Sequence, residues 1–124
     1  MQELVSRIAA ETGLTPERAL EAVGQILLYI KTEGSDPAID TMIEETPGAN
    51  EAIVQAGTTG TQEGGGLFGG GGIMALGSRL MALGLDMGGI GTVSRELVAF
   101  ARQHAGSDVV DRVIATTPGL SQFA

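Results

Sequence analysis

A glycine-rich segment in the middle of the chain limits the folds open to it. Fourteen of the twenty glycines lie between Gly57 and Gly91, and the densest stretch, residues 64–72, reads GGGLFGGGG. Glycine costs a helix about 1 kcal/mol per position relative to alanine, so we expect no helix to continue through that stretch. Because glycine-rich chains behave as flexible coils, we interpret residues 57–72 as a linker between two structured parts.

The parts on either side of this linker are related in sequence. Three blocks recur at a spacing of 71 or 72 residues: SRIAA at 6–10 with SRLMA at 78–82, Gly-Ser-Asp at 34–36 and 106–108, and Ile-x-x-Thr-Pro-Gly at 43–48 and 114–119. Repetition in one order at nearly one spacing is the signature of an internal repeat. We therefore predict two related halves, residues 4–56 and 73–124, within a single domain that spans residues 1–124.

Each half has the pattern of three amphipathic helices. Thr15-Pro16-Glu17 supplies an N-cap, a proline in the first turn and an acid near the positive end of the helix dipole. Apolar residues recur three and four apart, whereas no alternation of period two appears, so the predicted fold class is all-α. We predict helices at 73–83, 92–105 and 108–116 in the second half, and a fourth helix at 49–56 in the first. Leu27 and Val113 are predicted core residues, and Gly24 is predicted to let a neighbouring helix approach.

Charge and composition exclude several classes of partner. The net charge is −8, and all of it lies in residues 1–63, which hold eleven acidic and three basic side chains; residues 64–124 hold four of each. An acidic surface repels phosphate, and aromatic residues make up only 3% of the chain, so nucleic acid is not an expected partner. The absence of cysteine excludes disulfides.

The location of the protein is only weakly constrained. We find no signal peptide at the N-terminus and no uncharged apolar run long enough for a transmembrane segment. The expected location is cytoplasmic, although export after processing and contact with a membrane surface stay open.

No residue set matches a known catalytic, metal or cofactor site. His104 is the one histidine, and we expect it to stabilise a helix end rather than to form a triad with Ser107 and Asp108. Four aspartates lie at the starts of predicted helices without the spacing of a calcium loop: Asp36, Asp40, Asp108 and Asp111. The glycine run lacks the lysine of a phosphate-binding loop. We predict no enzyme activity, no cofactor and no metal.

Apolar residues in and after the glycine run are the candidate partner-binding residues. They are Leu67, Phe68, Met74, Leu76 and Met81. Methionine adapts to irregular partner surfaces, so we predict a protein partner or a homo-oligomer. An alternative is a binder of an apolar ligand or of a membrane surface through residues 67–83. An enzyme of unrecognised type is a more distant alternative.

Three segments carry a resemblance to known proteins. TGLTPERALEAVGQILLYIK, the following TPGANEAI and the later FARQHAGSDVVDRVIATTPGL, with a glycine-rich insert between them, resemble small uncharacterised bacterial proteins labelled VcgC/VcgE and, more distantly, the YidB-like family. This resemblance implies a bacterial origin and a helical fold. Since the family has no assigned activity, it implies no functional residue.

Overall fold

The structure, a computed structural model, describes residues 2–34, 36–60 and 72–117. These ranges fold into seven helices and contain no strand: α1 (Gln2–Thr12), α2 (Pro16–Glu33), α3 (Ala38–Glu45), α4 (Ala49–Gly60), α5 (Gly72–Ala82), α6 (Met87–Ala105) and α7 (Ser107–Thr116). The predicted all-α class is confirmed. None of the described helices is long and apolar enough to cross a membrane.

Helix α2 begins and ends where its local sequence signals place it. Thr15 Oγ1 accepts a hydrogen bond of 3.2 Å from the backbone N–H of Arg18, and Pro16 lies in the first turn. At the other end, the backbone N–H of Gly34 donates to the carbonyl of Ile30. These contacts satisfy backbone groups that have no partner within the helix, and the side-chain cap of Thr15 makes the first boundary predictable from residue type.

The first Thr-Pro-Gly sequence forms the turn between α3 and α4. The backbone N–H of Ala49 donates to the carbonyl of Thr46 at 3.1 Å, which closes a four-residue turn. Gly48 has a φ of 83°, the left-handed conformation that a type II turn requires at its third residue. The second Thr-Pro-Gly, residues 117–119, extends beyond the described residues.

Helix α2 lies at the centre of the packing. Helices α1, α4, α5 and α6 pack against it, while α3 packs against α7 and α6. Buried apolar side chains from all seven helices form one cluster. Leu27 and Val113 are fully buried in that cluster, so both predicted core residues are confirmed.

Helices α2 and α4 approach closely at a glycine. A Cβ atom added to Gly24 would overlap the backbone carbonyl oxygen of Ala52 and lie 3.0 Å from the Cβ of Ala56. Ala52 and Ala56 are themselves fully buried, so small residues on both helices let the two backbones meet. The predicted role of Gly24 is confirmed.

Five predicted boundaries are wrong. Helix α5 ends at Ala82 instead of residue 83, and α7 begins at Ser107 instead of residue 108. Helix α4 extends to Gly60, so residues 57–60 of the predicted linker are helical, and Gly72 at its other end begins α5. Packing of α4 along α2 offsets the cost of glycine in its last turns. Helix α6 begins at Met87, five residues before the predicted start, because Asp86 Oδ1 caps it by accepting from the N–H of Gly89 at 2.7 Å. The rest of the predicted linker, residues 61–71, lies outside the described residues.

Candidate functional site

Three of the five predicted partner-binding residues are described, and all three belong to α5. Met74 is 78% exposed and Met81 is 47% exposed, whereas Leu76 is fully buried. Two residues along a helix turn a side chain by about 200°, so Leu76 lies opposite Met74 and belongs to the core. We therefore leave Leu76 out of the candidate surface. Leu67 and Phe68 lie outside the described residues.

The outer face of α5 carries no charged side chain in the described structure. Its exposed members, which we call the methionine face, are Met74, Ser78, Met81 and Ala82. Met74, Ser78 and Met81 follow one another at spacings of four and three residues, so they lie on the same side of the helix. Arg79, the single charged residue of α5, is half-buried and its Nε donates to Gln25 Oε1 at 3.0 Å. An uncharged apolar face is thus presented outward.

Gln25 holds α5 and α4 in place relative to α2. This buried side chain accepts from Arg79 through Oε1, and its Nε2 donates to the carbonyl of Ala56 in α4 at 3.5 Å. A buried amide that uses both its oxygen and its nitrogen orients the helices that it joins. The role of Gln25 is not evident from the sequence, where its one signal is a polar residue inside the apolar run from Ala22 to Ile30.

A concave surface of about 700 Å³ lies among α1, α2 and α4. Its lining includes apolar side chains and two carboxylates: Val5, Pro16, Leu20 and Val54, with Glu17 and Glu51. None of the lining residues that the structure describes is basic. We call this surface the acidic groove. The acidic groove cannot be recognised in the sequence, because its residues come from three separate helices and no local pattern brings them together.

The residues weighed for catalysis or metal binding are not brought together. His104 is exposed near the end of α6, with its ring centroid 4.6 Å from that of Phe100. Asp111 pairs with Arg102 at 2.8 Å, and Asp36 accepts a backbone hydrogen bond at the start of α3. Within residues 2–34, 36–60 and 72–117, no three histidine or acidic side chains are placed to hold a metal ion.

A small internal cavity lies beside Ser94. The Ser94 hydroxyl is buried and makes no hydrogen bond within the described part of the chain. The cavity next to it measures about 20 Å³ and is otherwise lined by apolar side chains that include Ile26, Leu97 and Val110. Since that volume holds about one water molecule, the cavity is too small for an organic ligand.

Tyr29 is the single tyrosine of the chain and is 4% exposed. Burial raises the pKa of its phenol above the usual 10.0, and the nearby carboxylate of Glu33 raises it further. The folded protein therefore favours the neutral phenol. Because the pKa is higher in the folded state, the neutral phenol of Tyr29 contributes to the stability of the fold below pH 10. That contribution is lost as the pH rises through the folded-state pKa.

We expect the tyrosinate absorbance of the native protein to appear at a higher pH than that of the denatured protein. One tyrosine makes the signal unambiguous, and circular dichroism in parallel shows whether the chain is still folded. The variant Glu33→Gln should retain most of the difference, since burial is its larger cause. Equal titration midpoints for native and denatured protein would show that Tyr29 is accessible to water.

Comparisons with protein families, with curated proteins and with solved structures found no match. Function is therefore inferred from the methionine face and the acidic groove.

Proposed function

We propose that this protein is a non-catalytic interaction module that associates with a second copy of itself through the methionine face. The observation that carries this proposal is the exposure of Met74 and Met81 on one uncharged side of α5. Exposed apolar side chains grouped on one helix face are typical of protein contact surfaces. Methionine is also the apolar residue that adapts most readily to a partner.

We also infer that α1–α3 and α5–α7 are two copies of one three-helix unit. Buried positions of α2 and α6 correspond at a spacing of 71 residues: Ala19 with Ile90, Ala22 with Val93, Ile26 with Leu97, Tyr29 with Phe100, and Ile30 with Ala101. The packing supports the same inference, since α1 packs against α6 as α5 packs against α2. Helix α3 packs against α7, its counterpart. In a pseudo-twofold arrangement, each helix of one unit packs against a helix of the other unit, and the corresponding pair packs in the same way.

The proposed repeat supplies an internal comparison for α5. Leu4 and Ile8 of α1 are buried, and so are Leu76 and Leu80 at the corresponding positions of α5. The methionine positions differ: Gln2 and Ala9 in α1 correspond to Met74 and Met81, whereas Ser6 and Ala10 correspond to Ser78 and Ala82. Because α1 packs with Gln2 and Ala9 at these positions, packing alone does not require methionine there on α5. The difference supports a role for the methionine face in binding.

A second copy of this chain suits the methionine face better than an unrelated surface. In a twofold pair the same face meets itself, so a net charge on that face would oppose the approach of the two copies; this face has none. Met74 and Met81 are seven residues apart, or about 10 Å along the helix. An antiparallel pair of α5 helices would thus place each Met74 beside Met81 of the other copy. Residues 64–124 carry no net charge, so their approach is not opposed.

The exposed methionines also favour a second candidate function, the binding of an apolar ligand or membrane surface through residues 67–83. The described part of the methionine face has no basic side chain, which weighs against attraction to anionic lipid. An enzyme of unrecognised type is a more distant alternative. The resemblance to the VcgC/VcgE family and the cytoplasmic location stay predictions.

We expect the double variant Met74→Ser, Met81→Ser to weaken self-association by about thirtyfold or more. A twofold contact contains four of these methionines, two from each copy, and the variant replaces all of them. Each replacement removes apolar area worth about 0.5–1 kcal/mol. Sedimentation equilibrium over a wide concentration range measures the dissociation constant. Met87→Ser is the matched control, because Met87 is also exposed but lies in α6.

The sedimentation results distinguish the candidate functions. A wild-type protein that is monomeric at all concentrations contradicts self-association, and co-sedimentation of that monomer with neutral lipid vesicles favours the second candidate. A dimer that the double variant leaves intact moves the contact away from α5. The variant Leu67→Ser, Phe68→Ser, tested in the same way, determines whether those two residues contribute.

A further inference from the structure

We propose that the acidic groove binds a cationic amphipathic helix of a partner protein. This site lies on α1, α2 and α4 and is separate from the methionine face, so it does not depend on self-association. The inference rests on three features of the groove: its helical walls, its exposed apolar lining and its uncompensated negative charge.

The walls of the groove present apolar side chains at helical spacing. Pro16 and Leu20 lie four residues apart on α2, and Val54 lies on α4. Val54 is 67% exposed, whereas Ala52 and Ile53 beside it in α4 are buried. Grooves between helices accept an amphipathic helix whose apolar residues recur three and four apart. The partner segment is therefore expected to be helical with one apolar face.

The charge of the groove defines the polar face of that partner. Glu17 and Glu51 are exposed at the groove, and none of its described lining residues is basic. The arginines of the first half point elsewhere: Arg7 pairs with Glu96 at 3.2 Å, and Arg18 donates to the carbonyl of Leu83 at 3.3 Å. Lysine or arginine side chains beside the apolar face of the partner would complement this field.

A purely structural role explains only part of this arrangement. Glu17 and Glu51 each lie in the first turn of a helix, where an acid stabilises the helix dipole. That role does not require an exposed valine beside them. A cationic amphipathic segment needs both features together: an apolar lining for its apolar face and negatively charged side chains at the rim for its basic residues.

The probe is a labelled synthetic helical peptide with leucine at i, i+3, i+4 and i+7 and lysine at the other positions. Its binding to the full chain is measured by fluorescence anisotropy at several salt concentrations. Two control peptides share its length: one has glutamate in place of lysine, and the other keeps the composition but scrambles the leucines. We expect binding of the first peptide only, with affinity falling as salt increases.

Two pairs of variants test the location of the site. Glu17→Gln with Glu51→Gln should weaken binding about tenfold, whereas Glu44→Gln with Glu45→Gln, the same charge change on the exposed end of α3, should change it less than about twofold. Val54→Lys should weaken binding more than about tenfold by adding a positive charge to the lining. Thr41→Lys, an equal charge change at an exposed position of α3, is its control.

The results distinguish this proposal from self-association. Equal losses in both glutamine double variants would show general attraction to an acidic protein and overturn the proposal. Equal binding of the scrambled peptide, or no binding of the first peptide at millimolar concentration, would overturn it as well. Met74→Ser with Met81→Ser should leave peptide affinity unchanged, so either proposal can fail while the other holds.

Discussion

Replacing Leu27 with alanine is expected to lower the free energy of unfolding by about 2–5 kcal/mol. Leu27 is fully buried in the central helix, within the cluster that all seven described helices share. Its removal costs the transfer free energy of the lost methyl groups and leaves a cavity in a core that cannot fully collapse. Urea denaturation followed by circular dichroism measures the loss.

Val54→Ala is the matched control for this prediction. Val54 also loses methyl groups in the substitution, but its side chain is exposed and alanine favours a helix more than valine does. We expect a change of less than about 0.5 kcal/mol. If Leu27→Ala costs no more than Val54→Ala, Leu27 is not a core residue in solution.

The local part of the fold could be predicted from the sequence. Thr15-Pro16 sets the start of α2, and Thr46-Pro47-Gly48 sets the turn before α4, because each uses the capping or conformational preference of the residues involved. These signals act over four residues or fewer, so they need no knowledge of tertiary contacts.

Features that depend on tertiary contacts could not be predicted. The early start of α6 combines the Asp86 cap with the burial of Ile90, whereas its glycines alone argue against a helix. Leu76 is a predicted partner-binding residue that the structure buries, and residue type alone does not show that this side of α5 faces the core. Gln25 joins three helices through contacts far apart in sequence, and periodicity does not reveal them.

The two candidate binding surfaces differ in the same way: one could be proposed from the sequence, and the other could not. Met74 and Met81 could be proposed from composition, and the structure places both at the surface. The acidic groove needed the structure, because α1, α2 and α4 supply its lining. In our two proposals the acidic half binds a cationic partner, and the half without net charge binds a second copy. The uneven charge of the chain is consistent with that division.

Gly24→Ala is expected to lower the free energy of unfolding by about 2–3 kcal/mol, although alanine is the better helix former. The added methyl group would overlap the carbonyl oxygen of Ala52, which belongs to the backbone of α4 and cannot rotate away. Either α4 must move from α2 or α2 must bend, and both changes disturb the buried contacts of Ala56 and Gln25. Thermal and urea unfolding measure the loss.

Gly88→Ala separates this clash from the general effect of removing a glycine. Gly88 is exposed in the first turn of α6, and a methyl group there would meet only the Asp86 carboxylate at an ordinary contact distance of 3.6 Å. It should raise stability by about 0.5 kcal/mol, because alanine restricts the unfolded chain. Opposite signs for the two variants follow from close packing of α2 against α4. If both variants gained stability, the two helices would not be in contact at Gly24, and the hydrogen bond from Gln25 to α4 would then be absent too.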